Sequence, residues 1–186
     1  MRLATKADIP AIKAFLFAHA TVSMFPLTNL RDHGLGTDHR KAMTFWINDP
    51  LTDVLGLSGE GIIMPVFTSA RVAGVEDALS GRTVLGIVGT EQGCNVVRRA
   101  LNLPKAELDR IEPHYELGLT DLEVPNVAGL TLAPFTMVPR DVLISWRTDY
   151  YIEALDVRPA NAPVRAIAHV DSVLETGSHR VLMEGE

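Results

Sequence analysis

An α/β fold, with a mixed, mainly antiparallel sheet flanked by helices, is predicted by three features of the sequence. Apolar runs at 42–47, 54–57 and 62–68 are joined by stretches too short for a crossover, so these strands must pair antiparallel. The stretch 82–103, RTVLGIVGTEQGCNVVRRALNL, passes from an apolar β-branched run through a glycine loop into an amphipathic pattern. That is a strand-loop-helix unit. Helical spacing of apolar residues recurs near both 9–18 and 141–153, which supplies the flanking helices.

The elements follow in order. Thr5 and Asp8 stand in a T-x-x-D relation before an apolar pattern, and Pro10 is tolerated only in a first turn, so a helix begins between Thr5 and Ile9. Ile9, Ile12, Leu16 and His19 share its face, with Phe15 widening it, over 9–18. The segment 23–37 opens apolar and ends in glycines, which predicts one short helix stopped at Gly34. After the three strands, 75–80 is a short helical or extended piece. Thr83, Val84, Leu85, Ile87 and Val88 form a run too continuous for a one-sided strand, so 84–88 is expected at the sheet centre, buried on both faces. A helix over 95–100 follows, with Cys94, Val97 and Leu101 inward and Arg98 and Arg99 in water near its C-terminal end. A helix-like turn is expected at 104–110. Alternation of Tyr115, Leu117 and Leu119 predicts a half-buried strand within 113–124. Pro125, Asn126 and Gly129 then break the chain.

A second start resembles the first. Leu132, Ala133, Val138 and Pro139 repeat the spacing of Leu3, Ala4, Ile9 and Pro10, and a helix carrying Val142, Trp146, Tyr150 and Ala154 on one stripe follows over 141–153. Residues 1–128 therefore form one unit and 129–186 open another. Within the second, 165–175 fits a strand or a short helix, and 179–183 fits a strand.

Composition narrows the function. With 186 residues, 47% hydrophobic and 22% charged, the chain can bury a core for one domain or one domain plus part of another. A formal net charge of −6 argues against nucleic acid and anionic membranes as partners. No apolar run approaches the ~20 residues of a membrane span, and the first residues lack a secretory h-region. A single cysteine makes no internal disulfide and agrees with a cytoplasmic location. A homo-oligomer is compatible with all of this.

Several side chains could carry chemistry. Gly86, Gly89 and Gly93 sit at a helix start, where backbone N–H groups can cradle a phosphate. The competing reading is an ordinary strand-to-helix connection, since the spacing is neither a dinucleotide fingerprint nor a P-loop and Glu91 puts a negative charge in the way. Cys94 reads as buried filler, and Leu57-Ser58-Gly59-Glu60 fails as a nucleophile elbow because Glu60 replaces a glycine. Asp32, His33, Asp38 and His39 read as a polar loop rather than a metal site. His114, His169 and His179 are isolated in sequence. Trp146 and Tyr150 are explained as core by the helix stripe, which leaves Tyr151 without an account.

The opening R-L-A-T-x-x-D-I-P-x-I, from Arg2 to Ile12, resembles the first strand and helix of GCN5-related N-acetyltransferases. The run VLGIVG, from Val84 to Gly89, with its loop and helix is similar to their fourth strand and coenzyme-binding helix, and the second opening resembles that of members with two tandem units. The resemblance implies a fold of that family, acetyl-CoA as cofactor and an amine as acceptor. It also implies a coenzyme loop of pattern Q/R-x-x-G-x-G/A after the fourth strand. At Gly89, Thr90 and Gly93 that loop is degenerate, lacking the opening Arg or Gln. Arg31-Asp32-His33-Gly34-Leu35-Gly36 has the letters but follows a helical segment. The expectation is then the N-terminal part of a tandem acetyltransferase whose competent loop lies beyond Glu186, so that this chain alone is inactive. The alternative is a binding or assembly module that keeps the fold without the chemistry. The catalytic residues and the acceptor stay unassigned.

Overall fold

Asp8 sets the entry of the chain. In the computed structural model, which describes residues 1–123 and 128–185, its carboxylate accepts from the Thr5 N–H at 2.8 Å and the Thr5 hydroxyl at 2.9 Å. The Arg2 guanidinium adds two bonds at 2.9 and 2.7 Å. This pins the first strand, β1 (Arg2–Leu3), to the start of α1 (Ile9–Ala18), whose bounds are those the sequence predicts. α2 (Ala20–His33) follows at once and begins earlier than 23. The buried Ser23 hydroxyl donates to the Leu16 carbonyl and ties the two helices together. Gly34, at φ +78°, ends α2 as expected, its N–H reaching Leu30 O at 3.2 Å.

Three strands with short connections come next: β2 (Met43–Ile47), β3 (Asp53–Ser58) and β4 (Ile62–Phe67). They lie antiparallel, as the turns require. A short helix α3 (Val75–Leu79) leads to β5 (Gly86–Ile87), and α4 (Glu91–Ala100) follows. The sheet order is β1-β2-β3-β4-β5, with β4–β5 as its one parallel pair. On one face Ile12, Leu16 and Leu30 pack over Met43, Phe45, Val54 and Met64. On the other, Val75, Leu79, Val96 and Val97 cover Trp46, Leu55, Leu57 and Ile63.

The stretch 84–88 is therefore not the sheet centre, and it is the fifth strand rather than the fourth. The centre is β3, all of whose residues are buried. β5 is a two-residue, half-buried edge strand, and Leu85 is 73% exposed. The reason lies in Pro65. Ile63 O accepts from the Val88 N–H at 2.9 Å, so the next residue of β4 facing β5 is Pro65, which has no N–H to continue the ladder. The expected turn at 104–110 has no regular structure, and 113–123 is irregular apart from a 3₁₀ turn at Leu119–Asp121. Tyr115 and Leu119 stand 84% and 86% exposed, because alternation makes a strand only where a second strand supplies partners. Val124, Pro125 and Asn126 lie outside the described residues.

The chain divides into units 1–117 and 118–186, earlier than the boundary read from the sequence. In the second unit β6 (Leu130–Pro134), α5 (Arg140–Glu153), α6 (Ala162–Thr176) and β7 (Arg180–Glu184) form an antiparallel strand pair with two helices between. Segment 165–175 thus resolves as helix. Leu143, Val170 and Val181 form its core, with Ala133, Phe135 and Val138 against them. The α5 stripe is one residue away from the expected one: Leu143 is buried, while Trp146 and Tyr150 are 58% and 46% exposed. Both units open with the same series, a strand, a 3₁₀ turn, two helices and a strand returning antiparallel to the first. Among the described residues no helix is long and apolar enough to cross a membrane.

Two outcomes follow from this packing. A Cβ on Gly56 would lie 2.8 Å from Met43 Cε, 2.9 Å from Phe45 Cε1 and 3.2 Å from Met64 O. Gly56→Val should therefore cost roughly 2–3 kcal/mol in urea denaturation, as overpacking does. The Arg2 guanidinium, with the Thr5 N–H and hydroxyl, holds the Asp8 carboxyl well below the usual carboxylate range. Its contribution is present above the unfolded value of about 3.9 and is lost as pH falls through the folded value, so the stability gap between the parent chain and Asp8→Asn should be full at neutral pH and close below about pH 4.

Candidate functional site

The best-formed polar site lies in the first unit, where the ends of β2 and β4 meet the start of β3. Asp53 opens β3 and is only 2% exposed, so its carboxylate must be paired. It accepts from Asn48 Nδ2 at 2.9 Å and the Thr52 hydroxyl at 3.0 Å. From the exit of β4 it takes the Thr68 N–H at 2.9 Å, the Ser69 N–H at 3.2 Å and the Ser69 hydroxyl at 3.4 Å. Asn48 Oδ1 in turn accepts from the Thr52 and Asp53 N–H groups at 3.0 and 2.9 Å. One buried carboxylate thereby fixes two loops, 48–52 and 68–69, in mutual register.

Beside this network opens a cavity of about 510 Å³, lined by Arg2, Asn48, Asp49 and Arg71, with Met1 and Val72 among its apolar parts. Arg71 is exposed, whereas the charge of Arg2 is largely met by Asp8. Gly74 follows at φ +79°, and a Cβ there would collide with the backbone N of Met1, so no other residue fits without displacing the N-terminus. Among the described residues Arg71 makes no ion pair, so the cavity offers its guanidinium beside several polar groups. The polar lining also includes Thr52, Asp53 and Ser69.

The loop after the fourth strand is accordingly 68–74. It reads T-S-A-R-V-A-G, with Arg71 three residues before Gly74 and Glu76 two residues after it. Counting strands from Arg2 makes 62–68 the fourth, and that signal is present in the sequence. Glycine content instead draws attention to 89–93.

Gly89, Thr90 and Gly93 lie where α4 begins. A Cβ on Gly89 would stand 3.2 Å from Pro65 Cδ, and one on Gly93 would stand 3.1 Å from Pro65 Cγ. Both glycines serve a close approach to β4. The Thr90 hydroxyl caps α4 by accepting from the Gly93 N–H at 3.1 Å, so that donor is already engaged. Burial pushes the Cys94 thiol up, away from thiolate reactivity. Ser58 is buried, and its hydroxyl accepts from the Ile62 N–H at 3.1 Å in the β3–β4 turn. Arg31 pairs with Asp32 at 2.6 Å on the surface, so the Arg31–Gly36 letters belong to a helix end. His33 and His39 stack with ring centroids 3.9 Å apart, and desolvation first, then His39, lowers the His33 pKa. Among the described residues no group of three or more His, Cys, Asp or Glu side chains is placed to hold a metal ion. Trp46 is buried with the Arg82 guanidinium 5.6 Å from its ring.

Removing the Asp53 carboxylate would leave several buried donors unpaired. Asp53→Ala should lower stability by roughly 2–3 kcal/mol, and Asp53→Asn, which keeps one acceptor oxygen, by about half as much, in urea denaturation.

Comparison of the chain with family models, with curated proteins and with solved structures finds no match.

Proposed function

We propose that this chain is the N-terminal part of an N-acetyltransferase that moves an acetyl group from acetyl-CoA to an amine acceptor, built from two units of one fold. The observation that carries this reading is the repeated opening, strand, 3₁₀ turn, two helices and antiparallel strand, at 2–47 and again at 130–184. In the first unit that opening continues into a mixed sheet whose fourth strand leads to Arg71-x-x-Gly74. Acetyl-CoA would supply the activated acyl group. Arg71 is the residue of this chain suited to its phosphates, because a guanidinium meets phosphate oxygens in a fork.

Features of the same loop weigh against a coenzyme site in the first unit. Glu76 places a carboxylate where the pattern wants a small residue, Asp49 lines the cavity, and α3 has only 5 residues, too few to build an anion-binding helix end. At Gly89, Thr90 and Gly93 the space is taken by Pro65 and one donor by Thr90. Poor fixation of the reacting group can cost ~100-fold in rate. The competent loop then belongs to the second unit, C-terminal to β7. The second reading, a non-catalytic binding or assembly module, is favoured by the same Glu76 and Pro65.

Calorimetric titration separates these readings. Acetyl-CoA should bind the full-length gene product at least ~10-fold more tightly than this chain, and the full-length product should acetylate a member of a panel of primary amines. Tight binding by this chain that is lost on Arg71→Ala, with the fold intact, would move the coenzyme site into the first unit. Absence of binding and of transfer in the full-length product would leave the assembly module.

A further inference from the structure

We propose that the second unit contains a binding site for a small aromatic carboxylate, set between α5 and α6. It stands independently of the acetyltransferase reading. The site is a cavity of about 230 Å³ walled by Phe135, Trp146, Arg147, Tyr150, His169 and His179 over a floor of Leu143 and Val170. α5 supplies Leu143, Trp146, Arg147 and Tyr150 at the i, i+3, i+4, i+7 positions of one face. α6 supplies His169, and the turn into β7 brings His179 beside it.

Arg147 is the centre of this arrangement. Its guanidinium carbon lies 4.6 Å from the ring centroids of both Tyr150 and Tyr151, so two aromatic rings hold the planar fork. Its Nε is buried and makes no hydrogen bond among the described residues. A desolvated donor without an acceptor is an unfavourable element that a ligand oxygen would relieve. No Asp or Glu is among the residues lining the cavity, and Asp171, next in sequence to Val170, is engaged by Arg140 at 2.8 and 2.9 Å. A ligand carboxylate entering the cavity would supply that acceptor.

The rest of the wall is aromatic. His169 meets Tyr151 and His179 edge-on, with centroids 6.4 and 5.8 Å away, and Phe135 lies 5.8 Å from His179. Trp146, 58% exposed, offers a large ring at the rim. Rings of this kind receive a flat apolar body by stacking and edge contacts. A cationic ligand is disfavoured by Arg147. A bare inorganic anion would leave the aromatic faces unused. The volume falls below the ~300 Å³ at which drug-sized ligands begin, so it admits one ring system bearing a carboxylate and not a nucleotide.

Benzoate is the probe, benzamide its neutral counterpart and acetate its ringless one, each titrated into the full chain by calorimetry and by tryptophan emission. Benzoate should saturate, benzamide should bind at least ~10-fold more weakly, and acetate should not saturate. Trp146→Phe should abolish the emission change, since Trp46 is buried in the other unit. Arg147→Met should weaken benzoate at least ~10-fold without lowering the melting temperature, because the unpaired Nε is removed with the charge. If that variant does not fold, Arg147→Lys, which keeps the charge and loses the fork, should still weaken benzoate. No saturation by benzoate, equal affinity for acetate, or unchanged benzoate affinity in a folded Arg147 variant would each overturn the site.

Discussion

A strand buried on both faces must be covered twice, and this requirement organises the first unit. β3 has no exposed residue, so the helices before the sheet take one face and the helices after it take the other. Each Leu, Ile or Val enclosed in this way contributes about 1.5–3 kcal/mol relative to exposure. Gly56 lets Met43 and Phe45 close over the strand, and Asp53 turns the polar end of β3 into a clamp on its neighbours. The cavity beside Arg71 exists because that clamp fixes both loops that border it. In the second unit the β6–β7 pair buries Val181 against Leu143 and Val170 on one face. On its other face Leu132 and Leu182 are register partners, 74% and 62% exposed. The corresponding pair in the first unit, Leu3 and Trp46, has Trp46 sealed in the α3–α4 core.

Much of this fold is legible in the sequence because local chemistry decides it. The T-x-x-D relation fixes the start of α1, Gly34 stops α2, and short turns force β2, β3 and β4 antiparallel. What fails is what depends on a distant partner. The apolar continuity of 84–88 is no greater than that of β3 and β4, and only the missing N–H of Pro65 decides that the ladder ends there. Tyr115, Leu117 and Leu119 alternate correctly, yet none of the described strands lies beside them. On α5 a stripe through Val142 and one through Leu143 are both helical, and the packing of α6 selects the second.

The candidate sites are less legible, for a related reason. A glycine in a sequence does not say whether it serves φ, a close approach or a ligand. Gly74 has a positive φ and the N-terminus against it, while Gly89 and Gly93 exist for the ring of Pro65. The Arg71 spacing is readable only once strands are counted, because no local signal distinguishes it. His169 and His179 are isolated in sequence, and Tyr151 has no helix stripe to explain it. They meet only because α6 ends at Thr176 and the chain turns back through Gly177, at φ +59°, into β7.

The repeat also shows where the second unit departs from the first. The spacing that carries Leu3 onto Leu132 carries Phe17 onto Trp146, and both rings are exposed, at 75% and 58%. The next step carries Ala18, the last residue of α1, onto Arg147. α1 ends at Ala18 while α5 runs on to Glu153, so Tyr150 and Tyr151, which flank the Arg147 guanidinium, stand on a stretch of α5 past the position where α1 stops. The tyrosines of the aromatic-cationic cluster thus stand on α5 where the first unit has already broken between α1 and α2. A function placed there belongs to the second unit alone, whatever the shared opening of the two units does.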